Sequence, residues 1–114
     1  MTPVHAILVC DHDDLFREAL VNFLLAAGYS QVEVVATARE AMAKLRHERY
    51  GHVMIGTARP FSRGRRLAVI AQRRQPSAKI YLLINAEDQP FVQDDSFNYV
   101  IKEHVFGSLL ELLE

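Results

Sequence analysis

His12 lies between Asp11 and Asp13, and with His104 further along it offers imidazole and carboxylate, the ligands that transition metals favour. The chain has no paired motif such as His-x-x-x-His, however. His5, His47, His52 and His104 are scattered, and His52 adjoins an apolar run. No metal or other cofactor is therefore expected, and His12 is expected to hydrogen-bond or ion-pair with Asp11. Arginine is the second residue type with chemistry to offer. From Arg49 to Ala86 there is no acidic residue, yet Arg49, Arg59, Arg63, Arg65, Arg66, Arg73, Arg74 and Lys79 supply eight of the thirteen cationic side chains. A solvated basic face is the plain reading. The sharper one places an anion or an acidic partner at Arg59, Arg63, Arg65 and Arg66, because guanidinium groups bind carboxylates and phosphates in pairs of hydrogen bonds. With few aromatics near them and no recognition motif, direct nucleic-acid binding is not expected. Cys10, the single cysteine, ends an apolar run and reads as a small buried hydrophobe.

Positioning these residues requires a scaffold, and the apolar runs describe one. Residues 6–10, 32–36, 53–55, 80–84 and 99–101 are short and rich in β-branched residues, and segments of helical period separate them. That alternation predicts a parallel sheet covered on both faces. Leu15, Leu20, Phe23, Leu24 and Ala27 form the inward stripe expected of a first helix, which Gly28 stops. Thr37-Ala38-Arg39-Glu40 is a capping box opening a second helix with Ala41, Met42 and Leu45 inward. A third helix fits Gly64 to Arg74, with Leu67, Ala68, Ile70 and Ala71 inward, and ends before Pro76. The last holds Val105, Phe106, Leu109, Leu110 and Leu113. Five strands interleaved with helices in 114 residues predict one α/β domain over residues 1–114, doubly wound in the flavodoxin-like order 2-1-3-4-5. Half the residues are hydrophobic, enough for a proper core, and a formal net charge of −1 exerts no global pull toward nucleic acid or membrane. No apolar run is long enough to span a bilayer, and a cytoplasmic location is the default expectation.

In a doubly wound sheet, chemistry gathers beyond the carboxyl ends of the strands. There the run Asp11-His12-Asp13-Asp14-Leu15-Phe16-Arg17-Glu18-Ala19-Leu20 resembles the receiver domain of bacterial two-component response regulators, especially those with a helix-turn-helix output. The resemblance extends along the chain. Gly56 follows Asp11 by 45 positions, Pro60 and Gly64 match the proline and glycine of the next loop, Asn85-Ala86 ends strand four, and Lys102 follows strand five. Tyr99 falls at the aromatic switch position. The resemblance implies a phosphorylation pocket in which two acids and an acceptor aspartate hold Mg²⁺, while a hydroxyl and a lysine bind the phosphoryl oxygens. Asp11 and Lys102 keep their places. His12 replaces the second acid, Gly56 the acceptor and Asn85 the hydroxyl residue. Glycine offers no nucleophile, and one carboxylate with an imidazole suits Mg²⁺ poorly. Asp13 and Asp14 are expected at the start of the first helix, where its dipole favours negative charge, and Lys102 is expected to form an ion pair with Asp11.

Between Asn85 and Lys102 the chain is several residues too short for the helix that the resemblance implies, and Pro90, Asp94 and Asp95 oppose one. A helix of one or two turns, or none, is expected there. In receivers that region, the fifth strand and the last helix switch and dimerise, so its shortening is expected to expose an apolar face. Phe91, Val92, Phe97, Tyr99, Phe106 and Leu109 are the residues assigned to that face, which a homodimer would cover. The function implied is a phosphorylation-independent pseudo-receiver. It would act as an interaction and dimerisation module in signalling or transcriptional control, not as an enzyme. Its partner would be itself or another signalling protein, with a C-terminal DNA-binding output domain outside these residues. The alternative is a sensor of a small anionic ligand held at the degenerate pocket and the arginine-rich loop.

Overall fold

In the computed structural model, which describes residues 6–57, 62–91 and 97–113, the apolar runs become five strands. They are β1 (Ile7–Cys10), β2 (Val32–Val35), β3 (His52–Gly56), β4 (Lys79–Ile84) and β5 (Asn98–Ile101). All pair in parallel, in the order 2-1-3-4-5. Every residue of β1 is buried, as a central strand between two helical layers demands. Its last residue, Cys10, sits between Val35 and Ile55, so the strand hands Asp11 directly to the sheet's carboxyl edge beside Gly56.

The helices are α1 (Asp14–Ala26), α2 (Ala38–His47), α3 (Ser62–Arg74) and α4 (Val105–Leu113). Asp13 caps α1 by accepting from the amides of Leu15 and Phe16, and Asp14 lies in the first turn, as the dipole argument requires. Gly28 follows α1 with φ +101°, the left-handed region that glycine enters freely. Thr37 Oγ1 accepts from the Glu40 amide, while the Glu40 carboxylate reaches back to the amide of Ala36, one residue earlier than an ideal capping box places it. Among the described residues between β4 and β5 there is a short 3₁₀ helix (Ala86–Phe91), and another (Lys102–His104) leads into α4.

Two cores flank the sheet. Ala41 and Leu45 of α2 and Leu67, Ala68 and Ala71 of α3 pack against one face. Leu20 and Leu24 of α1 and Val105, Leu109 and Leu113 of α4 pack against the other. Several side chains depart from the expected stripes. Leu15 is 78% exposed, Ala27 is exposed, and Ile70 and Met42 are only half-buried. Phe106 and Leu110 stay partly outside the core at 39% and 42%, and the Phe106 ring rests edge-on against Phe23 at a centroid distance of 5.3 Å. A 3.6-residue period locates a stripe's centre well and its margins badly, and these residues lie at the margins. Leu109, assigned to an association face, is instead 1% exposed and belongs to the core.

The far ends of α2 and α3 are sewn together by one side chain. Gln75 donates to the carbonyls of Leu45 and Glu48 and accepts from the Tyr50 amide. Beneath them the Tyr50 hydroxyl lies 2.5 Å from Glu33 and 2.8 Å from Glu48. Burial and the two carboxylates together push its ionisation above the ordinary tyrosine range. No helix among the described residues is long and apolar enough to cross a membrane.

Candidate functional site

Four strand ends converge on the site: β1 delivers Asp11, β3 ends in Gly56 and is followed by Thr57, β4 is followed by Asn85, and β5 by Lys102. The Asp11 side chain is fully buried, and Lys102 Nζ stands 2.6 Å from its Oδ2 with only 13% of the lysine side chain exposed. Oδ2 has no aligned hydrogen bond among the described residues, so this contact is an ion pair held by charge. Asp11 Oδ1 accepts from the Asp13 amide at 2.9 Å. Lys102 Nζ also lies 4.8 Å from the centre of the Phe16 ring, a cation–π arrangement that helps hold the ammonium in place. Arg17 donates to the Asp11 carbonyl and pairs with Asp14, which fixes the start of α1 over the pair.

Gly56 explains why this arrangement fits. A Cβ built on it would lie 2.5 Å from Asp11 Cγ and closer still to Oδ2, where no real side-chain carbon sits. The Asp11 carboxylate thus occupies the space that a side chain at position 56 would need. Gly64 has a related reason: a Cβ there would meet the Thr57 side chain at 2.6 Å, so its absence lets the first turns of α3 press against the loop after β3.

The other expected residues distribute unevenly. The His12 side chain is 78% exposed, and its Nδ1 lies 3.7 Å from Asp11 Oδ1, too far for the expected hydrogen bond and an ion pair only when the imidazole is protonated. Asn85 is half-buried, and its carbonyl accepts from the Asp88 amide to open the 3₁₀ turn. Tyr99 is half-buried and, like Phe97, packs against the core on the α2–α3 side of the sheet, whereas Phe106 lies on the α1–α4 side. Together with Gln89, Val100, His104 and Leu112, Tyr99 lines a cleft of about 540 Å³ along the β5 edge, beside the shortened connection. Arg63, Arg65 and Arg66 are exposed on the first turns of α3. Arg59, Pro60, Val92 and the side chain of Phe91 lie outside the described residues. Burial, then the neighbouring Asp11 charge, pushes the Cys10 thiol up to about 11, so it is a neutral thiol at physiological pH.

Glu103 escaped sequence reasoning. Both its carboxylate oxygens accept from the Ala86 amide at 3.1 Å, tying the loop after β4 to the residue beside Lys102. An acid adjoining Lys102 was the available signal, but its partner is 17 residues away and is identified only by the strand order.

As a Mg²⁺ site these residues do not fit. Asp11 is spent on Lys102 and the Asp13 amide, His12 supplies nitrogen, and Gly56 supplies no side-chain ligand. Among the described residues no group of three or more His, Cys, Asp or Glu side chains could hold a metal ion.

The strand order, the convergent site and the lysine after β5 can be set beside solved structures. A CheY-like receiver domain from Methylobacillus flagellatus superposes with a TM-score of 0.78 at 19% identity, covering 97% of this chain and 99% of that one. Another, from Methanospirillum hungatei JF-1, gives 0.72 at 24% identity over 96% and 94%. The chain has the fold of a response regulator receiver domain. The receiver fold also aligns with RcsB of Salmonella typhimurium, with a TM-score of 0.72 and 17% identity over 98% of this chain and 59% of that one. No protein-family model and no curated protein matches the sequence.

Proposed function

We propose that this receiver-type domain works without phosphorylation, as a protein-interaction and dimerisation module in bacterial signal transduction or transcriptional control. The observation that carries the reading is the Asp11–Lys102 ion pair filling the space over Gly56. The lysine that would bind a phosphoryl oxygen is already neutralised by a buried carboxylate, and position 56 has no side-chain carboxylate to accept a phosphoryl group. The same pair weakens the alternative of an anion sensor, since an anion at Lys102 would have to displace Asp11 and leave a buried carboxylate unpaired. On this reading the domain is not an enzyme. Its likeness to RcsB, whose structure is described in terms of DNA interaction, supports a DNA-binding output partner outside these residues.

Incubation with acetyl phosphate and Mg²⁺, or with beryllofluoride, is expected to leave the intact mass and the amide spectrum unchanged. A stoichiometric adduct on Asp11, Asp13 or Asp14 would overturn the reading.

For association, the β5 edge cleft, Tyr99 and Phe97 make one candidate face, and the exposed Phe106 and Leu110 make another on α4. A two-fold dimer closes through a single self-complementary patch. Sedimentation at micromolar concentration is expected to show a dimer that Phe106→Glu or Tyr99→Glu dissociates. A monomer at every concentration would remove dimerisation from the proposal.

A further inference from the structure

The charges of this domain are sorted by face. On the α2–α3 side, α3 carries five arginines and no acid and α2 carries Arg39, Lys44 and Arg46 against Glu40, while on the other side α1 carries Asp14 and Glu18 against Arg17 and α4 carries Glu111. Helix electrostatics accounts for part of this. Arg73 and Arg74 in the last turn of α3 suit its negative end. Arg63 and Arg66 have no such excuse, because they lie in the first turns, at the positive end, with no acid to offset them. No salt bridge among the described residues engages Arg63, Arg66, Arg73 or Arg74, while Arg65 is already engaged. Placing cations against the helix dipole works against the fold, so the reason for them is sought outside it.

The four arginines also share a stripe. At 100° per residue, positions 63, 66, 73 and 74 fall on one flank of α3, with half-buried Ile70 in their midst. At 1.5 Å per residue the stripe runs roughly 16 Å. Gln75 locks the end of α3 to α2, and Gly64 seats its start on Thr57, so the stripe is held rigidly along its length.

We propose that this stripe docks an acidic segment of a partner protein, with carboxylates on the arginines and an apolar side chain over Ile70. The proposal rests on the interaction-module reading and deepens it by naming the surface and the chemistry of what it binds. Guanidinium groups suit paired hydrogen bonds to carboxylate or phosphate alike. Ile70 separates the two sources, because a peptide can set an apolar side chain against it and a sugar–phosphate backbone cannot. No aromatic residue lies on α3 to stack a base.

The test uses the full chain and three labelled probes followed by fluorescence anisotropy: a ten-residue peptide of glutamates flanking a central leucine, its glutamine counterpart, and a 20-base-pair DNA duplex. Five extended residues span the stripe at about 3.3 Å each, so the peptide is long enough. Saturable binding of the acidic peptide alone is expected, weakened at least tenfold by Arg66→Glu combined with Arg73→Glu. Arg63→Glu should also weaken binding while leaving the melting temperature unchanged or raised, since it relieves the helix dipole. That combination distinguishes a docking residue from a structural one. Absence of saturable peptide binding, equal binding by the reversed variants, or tighter arginine-dependent binding of the duplex would each overturn the proposal. None of these results bears on phosphate labelling, and a phospho-adduct would leave the peptide result standing, so the two readings fail separately.

Discussion

Replacing Lys102 by methionine is expected to destabilise the fold by about 3 kcal/mol, because it strands a fully buried carboxylate with no opposite charge beside it. Asp11→Asn should cost a comparable amount, since it leaves the lysine facing a neutral amide and weakens the bond from the Asp13 amide at the start of α1. The informative quantity is their combination. Two partners that lean on each other give a double variant whose loss is smaller than the sum of the singles by about 1–3 kcal/mol. Urea denaturation of the four proteins measures this directly. Strict additivity would mean that 2.6 Å of separation carries no coupling, and the account of the pocket would fall with it.

Gly56→Ala is expected to be costly out of proportion to its size. A single methyl group would have to displace the Asp11 carboxylate, and overpacking of this kind costs about 2 kcal/mol. Gly56→Asp should be worse, because it adds a second carboxylate against the first, and it should accept no phosphate. Adding His12→Asp would make the fuller reconstruction of a metal pocket. Pairing Gly56→Asp with Asp11→Ala moves the carboxylate from one strand end to the next and keeps Lys102 paired. That double variant should recover a large part of the loss. Thermal melts decide the matter: a neutral Gly56→Ala would show that the space over position 56 is free after all.

Much of this architecture could be read from residue order alone, because the strongest signals were local. The β-branched runs, the Thr37–Glu40 box and Gly28 each speak for their own segment, and the short span before Lys102 limited what could fold there. The Asp11–Lys102 pair came from the resemblance to receiver domains, since β1 and β5 are not neighbours in the sheet and no local pattern joins them. Less legible was that Asp11 would fill the room above Gly56, since this depends on how closely β1 and β3 end together. The roles of Glu103 and Gln75 were hidden for the same reason: each bonds to backbone far away in sequence, which local pattern does not reveal. Leu109 went astray because a leucine-rich helix has more apolar residues than its inward face can hold, and composition does not say which are left over.

The sorting of charge by face changes what a net charge of −1 means for this molecule. Even its thinnest dimension is 24 Å, about three times the screening length of roughly 8 Å at physiological ionic strength. A body approaching α3 therefore feels its arginines, offset by Glu40 of the neighbouring α2 and little by the acids on α1 and α4. Each side behaves as a separate electrode, and encounter rates at either one are steered by local charge rather than by the near-neutral whole. Only in dilute salt, where screening reaches roughly 30 Å, do the two faces begin to cancel.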